Sequence, residues 1–197
     1  MKLTVASHPV MNLPDDPKRF DLSDWYDPDE LTRFVQNGGW GIGGYLENRK
    51  AMYTAPQYEN RRRVHMGIDI WAAAGEPVFA PMDGVLLYKA YHEEKGNYGG
   101  TLVVKHRVDQ SEYYALFGHL SLKSVNDTVI GKKVRGGEMI GRLGEPHENG
   151  HWPPHLHFQI SMVDPGEADM PGVVVEEEVE SASKIYPDPR IILGPIY

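Results

Sequence analysis

Between residues 64 and 162, apolar side chains come in short runs or recur at every second position, the period of a half-buried β-strand. Val78-Phe79-Ala80 and Val85-Leu86-Leu87-Tyr88 flank Pro81-Met82-Asp83-Gly84, whose Asp-Gly step predicts a hairpin turn. Further strands are predicted at Thr101–His106, Glu112–Phe117, Glu138–Leu143 and His155–Ile160. The turns between them are short and contain glycine. That spacing predicts a mainly β fold, an antiparallel sheet or sandwich, with no βαβ units.

Outside this stretch the pattern changes. Residues 1 to about 24 are polar and proline-rich, without periodicity, and are expected along the surface. One short helix is predicted over Asp27–Gly38: Asp27 as cap, Pro28 in the first position, acidic residues in the first turn, Gly38 as stop. Leu31, Phe34 and Val35 form its apolar stripe. The Gly38–Tyr45 run contains a G-x-G step but no strand–loop–helix unit and no following lysine, so it reads as a loop or irregular strand, not a phosphate cradle. After residue 163, Glu176-Glu177-Glu178 reads as a solvated acidic run. Pro187-Asp188-Pro189 breaks the chain before Ile191-Ile192-Leu193, which is expected to dock on the body. The organisation predicted is an N-terminal extension (1–60) packed on or near a β core (61–162), with a C-terminal extension (163–197) of the same domain.

Composition narrows the partners. A net charge of −8 argues against nucleic acid, and no apolar run reaches the length that membrane insertion requires. The N-terminus lacks the apolar run of a secretory signal, so the cytoplasm is the expected address of this chain. With no cysteine, a metal site has only His, Asp, Glu and water to draw on. The chain has nine histidines, and their spacing matters more than their number.

On a strand, His155 and His157 share a face with Cα atoms roughly 6–7 Å apart, while Leu156 and Phe158 anchor the opposite face. His65 and Asp69 on one straight strand would sit roughly 13 Å apart, too far for one ion. Gly67 between them permits a bend that brings the side chains together. His65, Asp69 and His157 then make a normal three-ligand set for catalytic zinc, with a fourth position open. His119 follows a strand, next to Gly118, in a place that aims a side chain into a cleft. Two histidines near the ligands can supply the proton transfers that hydrolysis needs.

These three motifs, His65-x-x-x-Asp69, Phe117-Gly118-His119-Leu120-Ser121 and His155-Leu156-His157-Phe158, resemble those of the lysostaphin-type zinc endopeptidases. So do Gly75–Val85, Val103–His106 and Val134–Gly141, and the resemblance covers about residues 60–162. It implies a small antiparallel β fold, the duplicated hybrid motif fold, with the site in a groove on the sheet. Zinc would be bound by His65, Asp69 and His157, with His119 and His155 catalytic. It also implies a metallopeptidase acting on a peptide or peptide-like substrate, Gly- or D-amino-acid-containing, as a peptidoglycan endopeptidase does. The approach to the last motif, Gly144–Pro154, is bulkier than the family's usual Ser-Thr-Gly and should reshape one wall of the groove. His147 and His151 read as loop residues there. His106 matches a recurrent family histidine outside the ligand set and is a candidate for contact with the site. Whether residues 1–60 cover the groove is not legible in the sequence; Asn48 is a candidate from that segment to reach the open metal position. Trp40, Tyr45 and Trp152 are candidate groove walls.

Two other readings remain. A non-catalytic binding or regulatory module on the same fold would have shed some of the five key residues, all of which are present. The hairpin-like Ala80–Gly84 and Val134–Gly141 resemble lipoyl or biotinyl carriers, but no Met-Lys-Met or Asp-Lys-Ala turn presents a lysine. Oligomeric state is not legible in the sequence.

Overall fold

A computed structural model describes residues 7–59 and 61–197. The first six residues of the polar N-terminal run, and Asn60 at the expected core boundary, lie outside the described residues.

The chain opens with strand β1 (Lys18–Phe20), helix α1 (Pro28–Gln36) and strand β2 (Gly41–Gly43). Next come β3 (Val64–His65), β4 (Ile68–Trp71), β5 (Pro77–Phe79), β6 (Gly84–His92), β7 (Gly99–Val108) and β8 (Ser111–Leu120). Helix α2 (Leu122–Asp127) precedes β9 (Lys133–Val134), β10 (Met139–Arg142) and β11 (His155–Ser161). Strand β12 (Val173–Val174) and helices α3 (Val179–Ile185) and α4 (Arg190–Leu193) close the chain. One eight-stranded sheet runs β1-β2-β4-β11-β8-β7-β6-β9, antiparallel except for the parallel β1–β2 pair. Two small antiparallel ribbons, β5–β10 and β3–β12, flank it. Among the described residues no helix is long and apolar enough to cross a membrane.

The apolar runs of β7 and β8 follow from burial on both faces. Leu102, Val104, Ala115 and Phe117 enter the main core, while Val103, Tyr114 and Leu116 pack under the segment holding Ala168 and Met170. Helix α1 forms where its caps predict, with the Asp27 carboxylate accepting from the Asp29 and Glu30 amides at 3.0 and 2.9 Å. Leu31 and Val35 are fully buried; Phe34 is half-buried and meets Phe20 edge-to-face at 5.2 Å.

The predicted hairpin at Asp83-Gly84 does not form. Strand β5 pairs with β10, and β6 pairs with β7 and β9, so the chain crosses from a ribbon to the main sheet at Pro81–Asp83. The Asp83 carboxylate accepts from the Gly136 amide at 2.9 Å, anchoring the crossing to another loop. Gly41–Gly43, read as loop or irregular strand, is a buried strand between β1 and β4, and Lys18–Phe20, expected along the surface, pairs with it and extends the main sheet. Helices α2 and α3 have no counterpart in the predicted elements. The Glu176–Glu178 run is exposed, as expected, and turns into α3. Ile192 docks in the main core.

Candidate functional site

Strands β3 and β4 belong to different sheets, and the break between them at Met66-Gly67 turns His65 back over Asp69. On β4, Ile68 and Ile70 enter the core, which leaves Asp69 and Trp71 on the opposite face. Register then pairs Asp69 with His157 and Trp71 with His155 across β4 and β11. The bend is needed for space, not for an unusual backbone. Gly67 has no left-handed φ, but a Cβ there would lie 2.6 Å from His157 Cε1 and 2.9 Å from the Phe158 carbonyl oxygen.

Three atoms converge. Asp69 Oδ1 lies 3.2 Å from His65 Nε2 and 3.1 Å from His157 Nδ1, and the two ring nitrogens are 3.1 Å apart. The outer atom of each group is tied elsewhere. His65 Nδ1 donates to the Gly44 carbonyl at 2.9 Å, and His157 Nε2 donates to Gln159 Oε1 at 2.9 Å. Asp69 Oδ2 accepts from Arg49 Nη1 at 2.5 Å. With those ring protons committed outward, three lone pairs face one another in a buried space. A cation is what satisfies such an arrangement, and two nitrogens with one oxygen, each oriented by an outer partner, suit zinc.

The electrostatics agree. Burial, reinforced by the Arg49 charge, draws the His65 pKa down to about 4, so the ring is a neutral ligand at neutral pH. Burial works to raise the Asp69 pKa. The neighbouring His65 ring and the Arg49 guanidinium outweigh it and hold the carboxyl well below its usual range. Arg49 is itself fully buried and also meets Glu47 at 3.0 Å and the Tyr53 hydroxyl at 3.2 Å. Gly43 makes room for it, since a Cβ there would lie 2.6 Å from Arg49 Nη2.

His119 and His155 stand beside the cluster with ring centroids 4.1 Å apart. His119, the last but one residue of β8, has a left-handed backbone (φ 62°), an uncommon conformation for a residue with a side chain, held by backbone bonds to Tyr98 and Gly144. Its Nδ1 donates to the Asn149 carbonyl at 2.9 Å; His155 Nδ1 donates to the Pro153 carbonyl at 2.7 Å. Each Nε2 therefore carries the lone pair. Burial brings the His155 pKa to about 4, and burial plus repulsion from His155 and His157 holds His119 well below its usual value. Trp71 stacks on His155 at 4.1 Å, fixing the ring plane.

All five predicted site residues thus meet on one face of the sheet. A cavity of about 510 Å³ reaches Asp69, His119, His155 and His157. Of the candidate walls, Trp152 lines it, whereas Trp40 and Tyr45 pack against the main core. His106 lies away from the site, bound to the Asp83 carbonyl at 3.0 Å and packed against Tyr113. His147 and His151 are exposed loop residues. Asn48 does not reach the cluster, because its amide donates to Glu176; the neighbouring Arg49 points inward in its stead.

Several residues of the site went unpredicted. Gln159 continues the His155–His157 alternation and was legible by that spacing. Trp71 was legible the same way, two positions beyond Asp69. Arg49 and Tyr98, whose ring lies 5.6 Å from His119 and 5.3 Å from His157, carry no local signal.

Residues 63–170 match the family described as Peptidase family M23. The DD-carboxypeptidase/endopeptidase Mpg of Neisseria meningitidis serogroup B is 38% identical over 97 residues, covering 49% of this chain and 20% of that protein. The L-Ala–D-Glu endopeptidase of Bacillus subtilis is 32% identical over 104 residues, 49% of this chain and 29% of that protein. A crystal structure of a zinc-containing peptidase from Vibrio cholerae aligns with a TM-score of 0.44 at 28% identity, over 60% of this chain and 32% of that one. The chain thus spans less than a third of the length of these curated relatives.

Proposed function

The chain belongs to peptidase family M23, and on that premise we propose that it is a zinc-dependent peptidase in which His65, Asp69 and His157 hold the metal and His119 and His155 handle protons. The observation that carries this reading is the set of three inward lone pairs, each fixed by an outer partner: Gly44 for His65, Gln159 for His157 and Arg49 for Asp69. Zinc, when bound, supplies a Lewis acid that lowers the pKa of water and polarises a carbonyl. The chain's own residues supply the rest. His119 Nε2 and His155 Nε2 are unprotonated at neutral pH, so each can accept a proton on attack and return it to the leaving amine. Their Nδ1 bonds to main-chain carbonyls fix the tautomer that this requires.

A wall-type peptide containing a D-amino acid is the substrate class supported by the relatives' names, which specify DD- and L-Ala–D-Glu bonds. Metal analysis of the purified protein should find near-stoichiometric zinc, and His157→Ala should lose it. Full zinc retention by that variant removes His157 from the ligand set. His119→Ala should keep zinc yet abolish cleavage of wall-stem peptides; normal turnover would overturn its role.

A further inference from the structure

The N-terminal extension frames the cavity and does not plug it. Its segment 55–58 runs past the turn between β6 and β7 and is bonded to that turn. Gln57 Nε2 donates to the Lys95 carbonyl at 2.9 Å, and the Tyr58 hydroxyl donates to the Gly96 carbonyl. The approach is close enough to need glycine. Gly96 is left-handed (φ 83°), and a Cβ there would lie 2.6 Å from Gln57 Nε2. The turn is held from its other side too: the Gly96 amide donates to the Gly150 carbonyl at 2.9 Å, and Trp152 Nε1 donates to the Asn97 carbonyl at 3.1 Å.

Two further bonds complete a circuit. The Tyr98 hydroxyl donates to the Met170 carbonyl at 2.9 Å, and Arg62 Nε donates to the Val173 carbonyl at 3.2 Å. The Arg61 and Arg62 amides both donate to the Tyr58 carbonyl at 3.0 Å, which brings the circuit back to its start. Tyr58, Gly96, Tyr98, Met170, Val173 and Arg62 all line the cavity that reaches the metal cluster and the two histidines beside it. A peptide lying along an open groove enters between two elements and leaves between two others. Here each of those junctions is bonded, strap to turn, Tyr98 to Met170 and Val173 to Arg62. The volume agrees: about 510 Å³ falls among pockets that enclose a small molecule, roughly 300–1,000 Å³. Such a space is on the order of 10 Å across, the length of about three extended residues at ~3.3 Å each.

We propose that the cavity is a blind pocket that takes one end of a short peptide, so that this chain cleaves small free peptides near a terminus and not peptides bonded into a network at both ends. Gln57 and Tyr58 set that limit, through side chains whose hydrogen bonds go to the turn alone. Cleavage rests on the peptidase reading; entry of the peptide does not.

A stem-type pentapeptide with an L-Ala–D-Glu bond and a terminal D-Ala–D-Ala bond tests this in four forms. It is free, or carries a flexible ethylene-glycol chain too long for the cavity at its amino end, its carboxyl end or both. With the zinc-loaded chain, the free form and one singly extended form should agree in kcat/KM within about tenfold. The doubly extended form should be slower by about 100-fold or more, because a clash rejects it. Calorimetry with the metal-free chain should rank the forms alike in Kd. Gln57→Ala combined with Tyr58→Phe removes both strap bonds and keeps the ring; the doubly extended form should then gain about tenfold, and the free form should change by less than about threefold. If that pair fails to fold, Gln57→Ala alone, at an exposed side chain, should give a smaller gain in the same direction. A ranking unmoved by opening the strap overturns the role of those bonds. Equal cleavage and equal binding of the free and doubly extended forms by the native chain overturn the blind pocket. Binding that keeps the ranking without any cleavage sinks the peptidase reading and leaves the pocket standing. Cleavage without ranking sinks the pocket alone, and neither binding nor cleavage of any form sinks both.

Discussion

Replacing Gly67 with alanine tests the metal centre through packing alone. The added Cβ would lie 2.6 Å from His157 Cε1, 2.7 Å from its Nε2 and 2.9 Å from the Phe158 carbonyl oxygen. The backbone at Gly67 is not left-handed, so alanine is not excluded by conformation. Restoring an ordinary 3.4 Å contact means moving the imidazole by about 0.8 Å, or moving the strand that bears the Phe158 carbonyl. That strand is paired on both sides, with β4 and with β8, so the ring is the part that yields. A metal site tolerates ligand displacements of about 0.2 Å, several times less than this shift. Zinc affinity should therefore fall by about 100-fold or more, comparable to or beyond the loss of an outer-shell partner. The metal-free protein should lose only about 1–3 kcal/mol, the usual cost of an extra methyl in a filled core. Competition against a chromophoric chelator at pH 7 reads the first quantity, and urea unfolding in excess chelator reads the second. A variant destabilised by that amount but binding zinc within twofold of the native chain would refute the placement of His157 at the metal. Unchanged stability would refute the contact itself.

Acid should destabilise the metal-free protein over a defined window. His65 and His155 titrate near pH 4 when folded, against about 6.5 in the unfolded chain. Between those values the unfolded chain binds more protons, so stability is full above about pH 6.5 and falls as pH drops toward 4, by up to about 3 kcal/mol per histidine. Urea midpoints at pH 7, 5.5 and 4.5 check this, and a flat profile contradicts it; Asp69, whose pKa is depressed, contributes to acid loss only below the usual carboxylate range. Arg49→Met leaves the buried Asp69 and the half-buried Glu47 without their cation, and should cost about 3–5 kcal/mol in chelator-treated protein. Equal unfolding midpoints for the variant and the native chain would show that the guanidinium does not balance those carboxylates. Asn48→Ala, one residue away but turned outward to Glu176, should leave zinc affinity within twofold of native; a larger loss would place Asn48 in the site.

Face assignment was legible wherever a short-range period set it. The alternation in His155-Leu156-His157-Phe158 puts the imidazoles on one face and the apolar pair in the core, because successive strand side chains point to opposite sides. Helix α1 was legible for a similar reason: its cap, its first-position proline and its apolar spacing all act within one or two turns. Partner choice was not. Asp83-Gly84 carries a hairpin signal, yet β5 and β6 on either side pair with β10 and with β7 and β9, since many strand edges compete and the Gly136 amide holds the Asp83 carboxylate elsewhere. Nor does local pattern place Arg49. A fully buried guanidinium is tolerable only where carboxylates meet it, and Asp69 is brought there by sheet register. The same holds for Arg62 and Val173, more than a hundred positions apart, which line one cavity because β12 returns to pair with β3. By itself, then, the sequence determined which residues are candidates for the chemistry and which face of its strand each one occupies. Tertiary structure alone decided their distances, their outer partners and the walls of the cavity, because those depend on long-range pairing that no local period encodes.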